Sequence, residues 1–187
     1  MKRRIALFVF AGALALLVAV GVAFAATVNC QGGLVVCVGT DGPDKLLGTD
    51  GSDEMNGLQG DDVLRGLSGR DKLIGDRQEH PYDPPDGNDQ LYGNWGRDFL
   101  SGGGGSDLLK GGPSIDEIDA HDNFNLVTNP GEDTVFGGWG NDDITRAEDG
   151  FKDTVDCGEG SLDRVLGYDE GLDEISSNCE IVFPGEA

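Results

Sequence analysis

From Gly39 onward, polar and apolar positions recur with a period of nine residues. Nine units follow one another without a gap as far as Asp119, and they read GTDGPDKLL, GTDGSDEMN, GLQGDDVLR, GLSGRDKLI, GDRQEHPYD, PPDGNDQLY, GNWGRDFLS, GGGGSDLLK and GGPSIDEID. The eighth position is apolar or aromatic in every unit, and residues such as Lys45, Glu54 and Arg65 flank it. Because side chains alternate between the two faces of a strand, each unit is predicted to contribute a strand of three residues that buries only the eighth.

Glycine and aspartate occupy the other constant positions of the unit. The first position is Gly in eight of the nine units and the fourth is Gly in seven. The sixth position is Asp in eight units, at Asp44, Asp53, Asp62, Asp71, Asp89, Asp98, Asp107 and Asp116. Two further units, TNPGEDTVF and GGWGNDDIT, add Asp133 and Asp142 in a new frame.

Two segments depart from the pattern. The unit GDRQEHPYD has His80 in place of Asp, and its Pro81 cannot donate a strand hydrogen bond. The segment from Ala120 to Pro130 separates the two frames. Loops are therefore predicted at 76–85 and 120–130.

The eleven units resemble the RTX, or haemolysin-type, calcium-binding repeat, whose consensus is G-G-x-G-x-D-x-(large apolar)-x. The resemblance implies an all-β fold, a parallel β-roll that is a right-handed β-solenoid of stacked repeats. It also implies that the first six residues of each unit form a calcium-binding turn and the last three a short strand. Several Ca²⁺ ions would then lie between turns that are stacked on the same edge.

Elementary physics agrees with this arrangement. If two units make one coil, each sixth-position Asp lies about 4.8 Å from the Asp two units away. This pairs Asp44 with Asp62, Asp53 with Asp71, Asp89 with Asp107 and Asp98 with Asp116. Carboxylates this close repel each other, and Ca²⁺ accepts carboxylate and carbonyl oxygens together. The third-position acids Asp41, Asp50 and Asp86 are either additional ligands or solvated turn residues.

The thin core predicts that folding depends on the ion. Burying one residue in nine stabilises the fold too little to offset an ordering cost of about 1–2 kcal/mol per residue. Ion binding must supply the difference, so the calcium-free chain is expected to be largely unfolded.

The two ends of the chain carry features that predict a signal peptide and disulfide-closed caps. Lys2, Arg3 and Arg4 precede an apolar run that ends in Ala23-Phe24-Ala25, which predicts a signal peptide at 1–25; an uncleaved membrane anchor is the alternative. Four cysteines in two local pairs favour the disulfides Cys30–Cys37 and Cys157–Cys179 in an oxidising compartment, with a four-cysteine zinc site as the rival. The predicted domains are an N-terminal cap at 26–38, the calcium-binding roll at 39–145, and degenerate repeats with a C-terminal cap at 146–187.

Charge and motifs narrow the function. The net charge of −22, with no basic patch in the sequence, argues against nucleic acid as a partner. The sequence contains neither G-x-S-x-G nor H-E-x-x-H, so no enzyme is predicted.

The leading prediction is a secreted calcium-binding protein whose protein or glycan partner is unknown. A cell-surface or matrix adhesion module is the alternative, using the apolar residues Val63, Ile74, Tyr92, Phe99, Leu108, Trp95 and Trp139. An extracellular hydrolase or polysaccharide-modifying enzyme is the remote one.

Overall fold

The computed structural model describes residues 27–30, 36–76, 87–119, 131–147 and 150–184. The predicted signal peptide at 1–25 lies outside these residues, as do His80, Tyr82 and Asp86. Within the described ranges every regular element is a strand, and none of them holds a helix long and apolar enough to cross a membrane.

Sixteen strands alternate between two sheets, and all the strand pairs are parallel. The odd-numbered strands form sheet A: β1 (Thr27–Asn29), β3 (Lys45–Leu47), β5 (Val63–Ser68), β7 (Gln90–Trp95), β9 (Leu108–Pro113), β11 (Thr134–Trp139), β13 (Thr154–Glu159) and β15 (Glu174–Ile175). The even-numbered strands form sheet B: β2 (Val36–Val38), β4 (Glu54–Leu58), β6 (Lys72–Asp76), β8 (Phe99–Ser101), β10 (Glu117–Asp119), β12 (Asp143–Ala147), β14 (Arg164–Tyr168) and β16 (Ile181–Phe183). Each coil therefore consists of one strand from each sheet, as the predicted β-roll requires.

The core is a double column to which most strands contribute one buried apolar side chain, while β13 contributes both Val155 and Cys157. In sheet A the register places Leu46 beside Leu64, and Leu64 beside Leu91. The buried apolar residues are Cys37, Leu46, Met55, Leu64, Leu73, Leu91, Leu100, Leu109, Ile118, Val135, Ile144, Val155, Cys157, Val165 and Cys179. The predicted burial of the eighth position is confirmed wherever the structure describes it.

Many strands are longer than the three residues predicted. β5, for example, continues through the first-position Gly66 into the turn, because the backbone of that turn still pairs with the next coil. The prediction of three-residue strands is therefore wrong for β4 to β7 and several later strands.

Both predicted loops, at 76–85 and 120–130, lie outside the described residues except for Asp76, but the spacing of the aspartates changes across the first of them. Asp62 lies next to Asp89, which is 27 residues further on, whereas Asp44 and Asp62 are 18 residues apart. The core place beside Leu64, which the repeat predicted for Tyr82, is occupied by Leu91. Asp76 ends β6 instead of beginning the loop.

Both predicted disulfides are present. Cys30 bonds to Cys37 at one end of the roll and Cys157 bonds to Cys179 near the other. All four cysteines are thereby used, so the zinc alternative is wrong. Beyond Thr145 the sheets continue through β13 to β16, so this region is an extension of the same roll.

Candidate metal centre

The sixth-position aspartates form two continuous ladders, one on each edge of the roll. In every pair the backbone N–H of one Asp donates to Oδ1 of the Asp in the next coil, at 2.7–3.0 Å. The ladder where sheet B leads into sheet A, the B→A ladder, contains Asp44, Asp62, Asp89, Asp107, Asp133, Asp153 and Asp173. The ladder on the opposite edge, the A→B ladder, contains Asp53, Asp71, Asp98, Asp116, Asp142 and Asp163, and Glu180 accepts from the last N–H. The four aspartate pairs predicted from the sequence are confirmed.

The second carboxylate oxygen, Oδ2, is buried without a hydrogen bond to any other described residue in several of the ladder aspartates. Oδ2 is buried and lacks a hydrogen-bond partner among the described residues in Asp62, Asp71, Asp98, Asp116, Asp142 and Asp163. Desolvating a carboxylate oxygen without a compensating interaction is costly, so such atoms call for a proton or a cation.

Glycine at the first position leaves the space for that oxygen. A Cβ on Gly93 would lie 2.5 Å from Asp98 Oδ2 and 2.7 Å from the carbonyl oxygen of Gly111 in the next coil. A Cβ on Gly111 would likewise lie 2.5 Å from Asp116 Oδ2 and 2.6 Å from the carbonyl oxygen of Gly137. Each turn therefore brings a carboxylate oxygen close to a backbone carbonyl of the neighbouring coil.

Burial shifts the titration of these groups. It raises the pKa of Asp62 and of Asp116 to about 7, and the pKa of Asp71 and of Asp142 to about 6. Hydrogen bonds from the backbone oppose the shift, and the neighbouring ladder carboxylates reinforce it. Burial likewise raises the pKa of Asp98.

The first coil differs from the others. Thr40 Oγ1 donates to Asp44 Oδ2 at 2.9 Å, and Thr49 Oγ1 donates to Asp53 Oδ2 at 3.0 Å. The backbone N–H groups of the two threonines donate to the same oxygens. In this coil the threonines donate hydrogen bonds to the aspartate Oδ2 atoms. In later coils, Oδ2 of Asp62, Asp71 and Asp98 lacks such a donor among the described residues.

The third-position acids differ from the ladder aspartates in burial. Asp41 and Asp50 are exposed, whereas the sixth-position aspartates are buried. Asp86 lies outside the described residues.

The structure also adds acids that the repeat pattern did not select. Asp153 and Asp163 are fully buried members of the ladders, and the surviving Asp-x-Val core at each of them was the available signal. Asp76 is buried next to the B→A ladder and accepts from the N–H of Gly87, a contact that no repeat position predicts.

The donor set fits calcium. Within the described ranges, no three Asp, Glu, His or Cys side chains converge on one metal position. A site must therefore combine ladder carboxylates with backbone carbonyls, and such oxygen sets suit Ca²⁺ better than Zn²⁺ or the smaller, stricter Mg²⁺.

Comparison with known proteins agrees with this chemistry. Residues 38–77, 86–109 and 125–148 match the RTX calcium-binding nonapeptide repeat, in four copies. No curated protein and no solved structure gives a significant match. Such repeats bind calcium, and together with disulfides they are typical of extracellular proteins. The RTX calcium-binding nonapeptide repeats predicted from the sequence are therefore confirmed over these three ranges of the chain.

Proposed function

We propose that this protein is a secreted, non-enzymatic module whose β-roll is completed by Ca²⁺ ions held along the two aspartate ladders. The ligands would be the ladder carboxylates, together with backbone carbonyls of the adjoining turns. The observation that carries the proposal is the buried Oδ2 atom that lacks a hydrogen-bond partner among the described residues in each of six aspartates: Asp62, Asp71, Asp98, Asp116, Asp142 and Asp163. Asp44 and Asp53 would depend on the ion least, because threonines already donate to them.

Calcium would act by neutralising charge where burial makes it most costly. The aspartates of a ladder are ionised at neutral pH in the unfolded chain, and folding stacks them one coil apart in a partly desolvated edge. An ion that binds only the stacked state contributes its binding free energy to folding. Extracellular modules bind calcium with dissociation constants of about 10⁻⁴–10⁻³ M, so a chain of this kind would fold after export.

Calorimetry and circular dichroism during a calcium titration test the proposal. We expect several ions per chain and a β signal that rises with the bound fraction. Asp98→Asn removes the charge of a ladder group while keeping its shape, and it should lower the stoichiometry by one ion or more. Asp41→Asn, an equal charge change at an exposed third position, should leave the stoichiometry unchanged. A β signal that persists in full after EDTA treatment would contradict calcium-dependent folding.

A further inference from the structure

In four successive coils, the described residues that run along sheet A and into the A→B turn include no surface acid, although the chain carries 35 Asp and Glu residues. Acids flank this run: Asp50 lies in the coil before it, and Asp156 and Glu159 of β13 lie beside Phe136 and Trp139 in the coil after it. Four segments, each running along sheet A and into the A→B turn, contain no Asp or Glu: VLRGLSGR at 63–70, QLYGNWGR at 90–97, LLKGGPSI at 108–115 and TVFGGWGN at 134–141. They belong to four successive coils, because β5, β7, β9 and β11 are hydrogen-bonded neighbours. We call the surface formed by these segments the basic face, since its charged residues are Arg65, Arg70, Arg97 and Lys110.

The basic face also carries the two most exposed aromatic side chains in the described ranges. Trp95 is 64% exposed and Trp139 is 62% exposed. The strand register places Pro113 next to Trp139, and Pro113 occupies the coil between those of the two tryptophans. Two coil spacings separate the indoles along the roll, a distance of about 10 Å.

Cations on this face are held by aromatic rings. Lys110 Nζ lies 4.9 Å from the ring centre of Phe136 and 5.9 Å from that of Tyr92, and Arg65 lies 5.3 Å from Tyr92 on the other side. None of the four basic residues forms a salt bridge with another described residue. On sheet B, by contrast, Lys72 pairs with Glu54 and Arg164 pairs with Asp143. Among the described residues these cations therefore lack a direct ion pair, although Arg97 lies near enough to Asp116 to lower the pKa of that carboxyl and Arg70 lines a surface cavity with Glu117.

We propose that the basic face binds a linear anionic polysaccharide that runs along the roll axis. Trp95 and Trp139 would stack against the apolar faces of sugar rings, while Arg97 and Lys110 would pair with carboxylate or sulfate groups. A surface that repeats once per coil suits a polymer that repeats along its length, and two coils span about the length of a disaccharide. The proposal rests on a folded roll, and therefore on the calcium-dependent function proposed above.

The same features argue against other occupants. Aromatic rings beside cations also serve single-stranded nucleic acid. Four cations on a chain of net charge −22, however, provide little attraction for a ligand with one phosphate per nucleotide. A sparsely charged polysaccharide needs fewer compensating cations. At physiological ionic strength the acids of the other side are screened beyond about 8 Å.

Binding assays with the calcium-loaded protein test the proposal. The probes are hyaluronate, chondroitin sulfate and gellan as anionic polysaccharides, and hydroxyethyl cellulose as a neutral one. Polyaspartate, oligo-dT and phosphatidylserine vesicles are the other polyanions. We expect one or more anionic polysaccharides to bind more tightly than all the others. Failure of all three to bind, or equal or tighter binding of any comparison probe, would overturn it.

Variants separate stacking from charge. Trp95→Ala with Trp139→Ala should weaken binding about tenfold or more. Arg97→Gln with Lys110→Gln should also weaken it and reduce its dependence on salt. The matched controls lie on sheet B: Phe183→Ala, an exposed aromatic, and Lys72→Gln, a paired cation, should change nothing. If the controls weaken binding as much as the test variants do, the basic face is not the site.

Calcium stoichiometry and β signal are measured for every variant. A variant that keeps both but loses the polysaccharide isolates the basic face from ion-dependent folding. If the roll proves calcium-independent while the polysaccharide still binds at the basic face, only the proposed folding role of calcium fails.

Discussion

Ser114 stands at a fourth position, where most units have glycine. Its φ is +134°, close to the values of +130° at Gly96 and +144° at Gly140 on the same edge of the roll. A residue with a Cβ is strained by about 1–3 kcal/mol in this region of backbone conformation, and only glycine adopts it freely.

Ser114→Gly is therefore expected to stabilise the calcium-loaded protein by about 1 kcal/mol, after the entropy of the added glycine is subtracted. Thermal or denaturant unfolding in saturating calcium measures this change. Ser161→Gly, at an exposed turn position without a positive φ, should be neutral or destabilising. A loss of stability in Ser114→Gly would show that the serine side chain makes a contact worth more than the strain.

At the scale of strands, one side chain per strand carries the packing. Leu91 of β7 is fully buried, with Leu64 and Leu109 beside it in the neighbouring strands. Since successive coils contact only their neighbours, a defect here also interrupts the column that joins the two halves of the roll.

Leu91→Ala should lower the free energy of unfolding by about 2–4 kcal/mol, the cost typical of a buried leucine. Leu108→Ala, a half-buried and outward-facing leucine on β9, should cost clearly less. Equal losses for the two variants in denaturant titrations with calcium would contradict the single-column core.

The repeat period predicted the places of the strands, though not their lengths, and the stacking of the sixth-position aspartates, because each position of the unit has one fixed place in the coil. It could not predict that Asp62 lies next to Asp89. The separation of 27 residues between these two aspartates exceeds the 18 between Asp44 and Asp62 by nine, the length of one unit, so the frame of the repeat does not reveal the change. Nor could the period predict the basic face, since Arg65, Trp95 and Lys110 meet only after the coils are stacked.

For the molecule as a whole, the proposed calcium sites make protons and calcium competitors for the same ladder carboxylates. Burial raises the pKa of Asp62 and Asp116 to about 7, and of Asp71 and Asp142 to about 6, from 3.8 in the unfolded chain. Between about pH 4 and pH 7 the metal-free roll thus binds more protons than the unfolded chain does. Its stability consequently rises as the pH falls through this window and is lost as the pH rises.

Two opposite trends should result. The metal-free protein should gain β signal when the pH is lowered from 8 to 5, whereas its calcium affinity should fall over the same range. Circular dichroism in EDTA measures the first trend, and calorimetry in buffers of different ionisation enthalpy measures the second together with the protons released. Calcium affinity that stays constant from pH 5 to pH 8 would exclude the buried ladder carboxylates as ligands.

The threonines of the first coil suggest the order in which the coils of the roll fold. Because Thr40 and Thr49 satisfy Asp44 and Asp53 without an ion, this end can serve as a ready-made template, and the Cys30–Cys37 bond fixes it further. Later coils have neighbours only 18 to 27 residues away in sequence, so each can be added to the one before it. We expect folding to proceed as seeded growth from the amino-terminal end, with calcium supply setting how far it extends.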